Sequence, residues 1–329
     1  MNFKEIILIL VGTWGCIACM AGSFAPAAGQ PGSTAIAMPG DPNDTSVFAG
    51  WATGVLIDRG LVKISEPSLG DVSHGTPQDA LGPAQGQSTV GVVSLGDAGV
   101  ATLTFENPIA NGPGYDFAVF ENSFAPNPSE PNIMFLELAF VEVSSDGIHY
   151  ERFAAASLTQ SQTQVPAFGF TSTIDTTDIH NFAGKYSKGY GTPFDLEEIR
   201  DVNDLVDVTE ITHIRLIDVV GTLQSGYARG DSMGNIINDP WPTDFSTGGF
   251  DLDAVGVIHE KTLTADINGD GTIDLQDYAE FGYAYQSNPS LSNWNYKCDV
   301  APFINDQVDI NDLLVFFDQW LLTEQWYIE

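Results

Sequence analysis

Basic residues are scarce in this sequence: 11 Lys+Arg face 44 Asp+Glu across 329 residues, a formal net charge of −33. Such a field repels phosphate backbones and anionic headgroups, which disfavours nucleic acid and membrane surfaces as partners. Cysteine is scarcer still, at three. Cys16 and Cys19 sit in an N-terminal apolar run and neither follows a lipobox pattern, so lipidation is disfavoured. Once that run is removed only Cys298 remains, which excludes an internal disulfide and a cysteine-based zinc site. The five histidines lack H-E-x-x-H spacing and a triad order, which disfavours zinc hydrolase chemistry. Between residues 30 and 260 no stretch sustains a helical period, apart from a weak candidate at "PFDLEEIRDVNDL".

A leader is present. "MNFKEIILILVGTWGCIACMAGSFAPAAG" carries one Lys, an apolar run from Ile6 to about Met20 and then small residues suited to signal peptidase, so residues 1–28 read as an export signal cut between Ala21 and Ala28. The run is too short for a comfortable span, and no membrane insertion is expected after cleavage. The mature chain is expected to be secreted or at the cell surface. Its 43% hydrophobic content is enough for a substantial core. From 30 to 260 short alternating runs, "VATLTF", "FAVFEN", "FLELAFVEVSS", "ITHIRLIDVVG" and "FDLDAVGVI", are punctuated by Gly and Pro. That grammar predicts a β-sandwich, most simply a jelly roll, with long loops at 122–132 and 222–249 on which a site would sit.

After "HEKTLTA" the grammar changes. "IDLQDYAEFGYAY" (273–285) overlays "VDINDLLVFFDQW" (308–320), so a loop followed by a helix occurs twice. In "DINGDGTIDLQD" the positions of an EF-hand-like calcium loop are filled by Asp266, Asn268, Asp270, the Thr272 carbonyl, Asp274 and Asp277, with Gly271 at the turn. Calcium takes six to eight oxygens, and alternate residues of a tight loop point inward to supply them. Asp stands at position 12 where Glu is usual. An Asx-rich helix cap is the plain alternative. The second copy is degraded: in strict register Ala301 and Phe303 fall at positions 1 and 3, although Asp299, Asn305, Asp306, Asp309 and Asp312 remain for a rearranged loop with an insertion. The row Phe316, Phe317 and Trp320 reads as core between the helices.

Two such units, spanning 264–323, resemble a type I dockerin. The resemblance implies calcium-dependent folding and a cohesin-like protein partner. Dockerins often carry Ser-Thr at loop positions 10 and 11; here these are Leu275-Gln276 and Ile310-Asn311. The segments "GPGYDFAVFENSF", "FVEVSSDGIHYERF" and "GGFDLDAVGV" of the larger domain (30–260) resemble secreted bacterial cell-surface proteins with a galactose-binding-like, carbohydrate-binding jelly roll, which implies binding to a polysaccharide or cell-surface glycan.

On its own terms the large domain offers Asp251 and Asp253, two apart in a strand and hence on one face about 6–7 Å apart along the chain, opposite Phe250, Leu252 and Ala254. With Glu121 they form a second candidate cation site; two solvated outward carboxylates are the plain reading. Aromatic residues in Gly/Pro-rich loops are expected to stack on sugar rings, namely Tyr115, Tyr190 and Trp241, with Tyr186 and Phe245 in similar settings. For catalysis, Glu137 and Glu142 lie at an odd separation that puts them on opposite faces of a regular strand. "GDSMG" around Ser232 lacks a strand before it and a helix after it. The expectation is a mainly β protein with a small C-terminal α-helical, EF-hand-like module, binding Ca2+ and a glycan without catalysis. The alternatives are a secreted polysaccharide-degrading enzyme carrying a dockerin and a structural cell-envelope protein.

Overall fold

The computed structural model describes residues 24–168, 172–301, 304–324 and 326. Residues 1–23 of the leader, with Cys16 and Cys19, and Phe303 of the second loop lie outside the described residues.

The chain is mainly β with two α-helices. In order the principal strands are β1 (Ile36–Ala37), β2 (Gly50–Trp51), β3 (Gly54–Asp58), β4 (Val93–Ser94), β5 (Val100–Ile109) and β6 (Phe117–Glu121). They are followed by β7 (Ala139–Ser144), β8 (Glu151–Arg152), β9 (Tyr190–Phe194), β10 (Ile211–Asp218) and β11 (Asp251–Val257). One sheet runs β1-β9-β6-β11-β2, with β4 also on β11, and the other runs β3-β5-β10-β7-β8. Every neighbouring pair is antiparallel.

Alternation explains how the sheets meet. In β10, Leu216 stands opposite Ala101 of β5 and Val141 of β7, and all three belong to one buried cluster with Val119 of β6 and Val255 and Val257 of β11. The two sheets therefore share one core, consistent with a β-sandwich. Arg215, one residue before Leu216, faces outward, stacks 3.7 Å from the Tyr150 ring and donates through Nε to Glu142 at 2.6 Å. Arg152 donates to the other Glu142 oxygen at 2.8 Å, so Glu142 is an ion-paired outer-face residue. A second cluster, including Leu138, Phe140, Phe182 and Ile237, lies where loops wrap over β7; Ala27 is buried in it. The stretch read as a weak helix candidate forms only a 3-10 turn at Leu196–Ile199, because Pro193 and Phe194 already belong to β9.

Helices α1 (Leu275–Ala284) and α2 (Ile310–Asp318) form the C-terminal unit. Phe281 and Phe316 stack with centroids 5.5 Å apart over Ile273, Val308 and Cys298. Burial pushes the Cys298 thiol up to about 12, so it acts as a small apolar core residue. Polar contacts fasten this unit to the sandwich: Lys261 donates to Glu210 at 2.7 Å, Lys297 pairs with Asp207, and the backbone N–H groups of Thr262 and Leu263 donate to Glu324 at 2.8 and 2.7 Å. Among the described residues no helix is long and apolar enough to cross a membrane.

Phe117 lies at the centre of the core, fully buried and stacked on Phe194 with centroids 5.2 Å apart. Phe117→Ala is expected to cost about 3–5 kcal/mol in denaturant unfolding, whereas Leu56→Ala on the outer face is expected to stay within about 0.5 kcal/mol. Equal effects from the two would contradict this placement of the core.

Candidate functional site

Strand ends bring carboxylates together at one end of the two sheets. Glu121 closes β6, Asp218 closes β10, Asp251 opens β11 and Glu137 lies just before β7. All four are at least nine-tenths buried, as is Asp239 in the loop before β11. Backbone amides from neighbouring segments satisfy several of them. Asp218 accepts from Phe250 N at 2.7 Å and Ala98 N at 3.0 Å, and Glu137 Oε1 accepts from Gly249 N at 3.1 Å. Gly249 has φ +75°, and a Cβ there would fall 2.7 Å from the Asp218 carboxylate, so glycine is required for this approach. Asp251 accepts from the Ser94 hydroxyl and, at 2.8 Å, from Asn122 Nδ2; Glu121 accepts from Ser123 N at 2.6 Å and from the Ser123 hydroxyl.

Few cations compensate this charge. The Arg59 guanidinium acts on Asp251 through charge, but it donates to the carbonyls of His74, Ser94 and Gly75 at 2.6–2.7 Å and makes no ion pair among the described residues. Burial pushes the Glu121 carboxyl up to about 8. Burial raises Glu137, Asp218 and Asp239 well above the usual carboxylate range, and neighbouring carboxylates add to each rise. Asp251 is raised by burial and held back by Ser94, Asn122 and, through charge, His74 and Arg59.

Above this floor opens a cavity of about 500 Å³. Its walls include Phe124, Phe135, Phe168 and Phe245; the first two stack with centroids 5.4 Å apart, and the last two meet edge to face at 6.3 Å. Glu137, Asp251, Asn122, His74 and Ser172 supply polar lining. The Ser172 hydroxyl is buried without a hydrogen-bond partner, and Glu137 Oε2 has none among the described residues. A cavity of this size with apolar walls and a few convergent polar groups is the usual form of a small-ligand site.

Several expected residues lie elsewhere. Trp241 is only 9% exposed, and its Nε1 donates to Asp97 at 3.1 Å, so it pins a loop to the core. Tyr190 OH accepts from Asn43 Nδ2 at 2.9 Å beside a different groove, and Tyr115 lines a separate cavity of about 270 Å³ with Lys185. Tyr186 is buried, its hydroxyl 2.8 Å from that of Thr34. Of the loop aromatics singled out, only Phe245 reaches the Phe-walled cavity. Phe124, Phe135 and Phe168 were missed; Phe124 lies within the long loop 122–132 and Phe135 just after it, which was the available signal.

Asp251 and Asp253 do not share a site. A bulge pairs Leu252 with Glu121 and Ala254 with Phe120, leaving Asp253 unpaired in the register. Asp253 accepts from Gln85 N at 2.9 Å and Gly86 N at 2.8 Å, away from the partners of Asp251. The bulge also moves Ala254 off the core face, to pack with Phe120 and Ala118, while Phe250 and Leu252 stay in the core. The Ser232 hydroxyl donates to Ala155 O at 2.6 Å, with the strand β11, not a helix, as the next element after it.

The C-terminal loops match each other closely. Asp266 accepts from the amides of Gly269 and Gly271 at 2.9 and 2.8 Å; Asp299 accepts from those of Asn305 and Asp306 at 3.3 and 2.8 Å. Asp274 caps α1 and Asp309 caps α2, each accepting an amide at 2.7 Å. Asp277 reaches back to Ile267 N and Asp274 N, and Asp312 to Ala301 N and Asp309 N, all at 2.7–2.9 Å. Asp299, not Ala301, thus takes the first position of the second loop, with Asn305 accepting from Gln307 N at 2.9 Å between them as Asn268 accepts from Asp270 N at 2.9 Å. Asp270 in turn accepts from Thr272 N at 3.0 Å. Each loop pairs with the segment beyond the other helix: Ile273 with Leu321 and Leu322, Val308 with Gln286 and Ser287.

The donor set of the first loop, all oxygen at alternate positions, fits a hard cation, and in the second loop the buried Asp299 Oδ1 has no hydrogen-bond partner. Most other carboxylate oxygens are taken by amides, and among the described residues no three His, Cys, Asp or Glu side chains converge as a ready-made metal cluster.

No family model matches the chain, and no curated protein matches it significantly in sequence.

Glu121 carries a pH prediction. Its ordinary value is 4.5 and its folded value about 8, so the folded state binds the proton more tightly. Its stabilising share is full below 4.5 and is lost as pH rises through 8. Urea unfolding is expected to show stability falling across that window, with a flatter slope in Glu121→Gln; an unchanged slope would mean that Glu121 is ionised in the fold.

Proposed function

We propose that this chain is an exported, non-catalytic protein whose β-domain, a galactose-binding-like jelly roll, binds a glycan or cell-surface component. Its C-terminal dockerin-like, EF-hand-like module tethers it to an extracellular partner. The observation that carries the reading is the Phe-walled cavity over a polar floor in which, among the described residues, the Ser172 hydroxyl and Glu137 Oε2 have no hydrogen-bond partner. Flat rings stack on the apolar faces of sugars, and unpaired polar groups among them bond hydroxyls.

Calcium suits the module. Asp266, Asn268, Asp270, Asp274, Asp277 and the Thr272 carbonyl would hold one ion, and Asp299, Asn305, Asp309 and Asp312 a second. The ion supplies cohesion to loops crowded with carboxylates; the residues themselves cap α1 and α2 and fix the turns. Tethering draws support from a stripe on α2, where Ile310, Leu314 and Phe317 are 54–58% exposed at helical spacing. Phe317 therefore departs from the expected core row, while Phe316 keeps to it. Export is compatible with a cut ahead of Phe24, because Phe24 stacks on His180 at 4.8 Å and Ala27 is buried, so a cut as late as Ala28 would remove that packing.

One observation favours a second reading, a secreted polysaccharide-degrading enzyme. Glu137 and Asp251 line the same cavity, and a carboxyl raised by burial beside a hydrogen-bonded one is the arrangement that general acid catalysis uses.

A glycan array probed with the full chain tests the primary reading. A defined set of glycans is expected to bind and to be lost on Phe245→Ala; shortened products in the same wells, abolished by Glu137→Gln, would overturn non-catalytic binding in favour of the enzyme. Calcium is tested separately by calorimetry and thermal unfolding. The full chain is expected to take up one or two ions, to melt several degrees lower in chelator, and to lose one ion in Asp266→Ala; no heat at millimolar calcium would remove the metal from the proposal.

A further inference from the structure

The cavity is unusual in its charge. Among the described residues its benzenoid walls are all phenylalanine, with no phenol or indole N–H to offer a sugar, and the carboxylates beneath them have no salt-bridge partner. We infer that the cavity selects a cationic saccharide, an amino sugar whose free ammonium group sits between the phenylalanine faces and the Glu137 and Asp251 carboxylates. This rests on the glycan-binding reading and narrows it to one substrate class.

Three observations converge on the inference. Ser172 is 2% exposed and Glu137 7% exposed, both line the cavity, and each keeps an oxygen free of any partner among the described residues. An ammonium group brings three donors and no acceptor, so a carboxylate oxygen and a hydroxyl oxygen are both used, whereas a neutral hydroxyl has only one hydrogen to give. The ring faces of Phe124, Phe135, Phe168 and Phe245 carry the negative side of the aromatic quadrupole, which attracts a cation over them. The charge balance points the same way. Burial opposes ionisation of Glu121, Glu137, Asp218, Asp239 and Asp251, and neighbouring carboxylates oppose it further in the first four. Against them stand Arg59, committed to three carbonyls, His74 in the lining, and Lys188, which donates at the rim to Ser88. A bound ammonium supplies counter-charge that the protein itself withholds, and N-acetylation of the same sugar would remove that charge and add bulk.

The test is calorimetry on the full chain with three tetrasaccharides: β-linked glucosamine, its N-acetylated counterpart, and β-linked glucose. About 0.3 M salt screens the overall negative charge, whose reach then falls well below 10 Å. The glucosamine oligomer is expected to bind at least tenfold more tightly than either neutral one. Phe168 is 83% exposed, so its removal leaves the core intact; Phe168→Ala is expected to weaken the glucosamine oligomer about three- to tenfold. Glu137→Gln, checked for folding by circular dichroism, is expected to abolish the preference. Equal affinity for the glucosamine and N-acetylated oligomers would overturn the inference while leaving glycan binding in place. Binding of none of the three while the array finds another glycan would do the same, and binding of none with a silent array would remove both. An ammonium preference that survives undiminished in Phe168→Ala and in folded Glu137→Gln would place the site elsewhere and overturn the inference.

Discussion

A desolvated carboxylate must find donors, and in this protein those donors are chiefly backbone amides from other segments. Asp218 is the clearest case: from the end of β10 it accepts from Ala98 ahead of β5 and from Phe250 at the mouth of β11, and so ties the two sheets together at the end where the cavity opens. Glu137 does the same to Gly249, and Asp239 accepts weakly from Leu138 N at 3.4 Å. A buried donor or acceptor left unsatisfied costs about 1–3 kcal/mol, more for a charged group, so these bonds fix the loop before β11 against β7 and β10. The cavity floor is therefore part of the framework, whereas its walls come from loops around 124, 168 and 245 that can vary without disturbing it.

The same device recurs in the C-terminal unit on a smaller scale. Asp266 and Asp299 gather the turn amides of their loops, while Asp277 and Asp312 reach back from the first turn of each helix to the loop entrance and the cap. Each loop is thereby held in shape by its own carboxylates before any cation is considered. That arrangement reconciles an oxygen-rich donor set with the lack of a ready metal cluster among the described residues: the oxygens a cation would use are turned to amides, and binding would exchange some of those bonds for coordination.

The strands were legible because alternation decides which side chains are removed from water; Ile214 and Leu216 inside with Arg215 outside is a pattern that survives any change of neighbours. The two loop-helix units were legible for the same reason. What the sequence hid depended on contacts distant along the chain. The bulge at Asp253 turns on how β11 meets β6, and a regular two-residue period gives no sign of it. Trp241 reads as a loop aromatic until Asp97, 144 residues away, is seen to take its N–H. The second loop resisted strict register because it is longer, and only the reach of Asp312 to Ala301 N, matching that of Asp277 to Asn268 N, restores Asp299 to the first position. The cavity was the least visible feature, since its four phenylalanines come from three separate stretches.

The two parts of the chain are also coupled physically. Gly269, at the turn of the first loop with φ +75°, lies so close to Thr209 that a Cβ would fall 2.5 Å from it. Thr209 accepts from Lys297 at 3.2 Å and donates to Asp207 at 2.7 Å, and Asp207 is itself paired with Lys297. The loop therefore rests on the segment that leads directly into β10, and β10 ends at Asp218 under the cavity. A cation that reorganised the first loop would press on a well-bonded contact with the sandwich rather than on solvent, so the energetics of the loop and the order of the sandwich near Thr209 cannot be independent. The module behaves as a docked extension of the β-domain, and the side of α2 that carries Leu314 and Phe317 remains exposed.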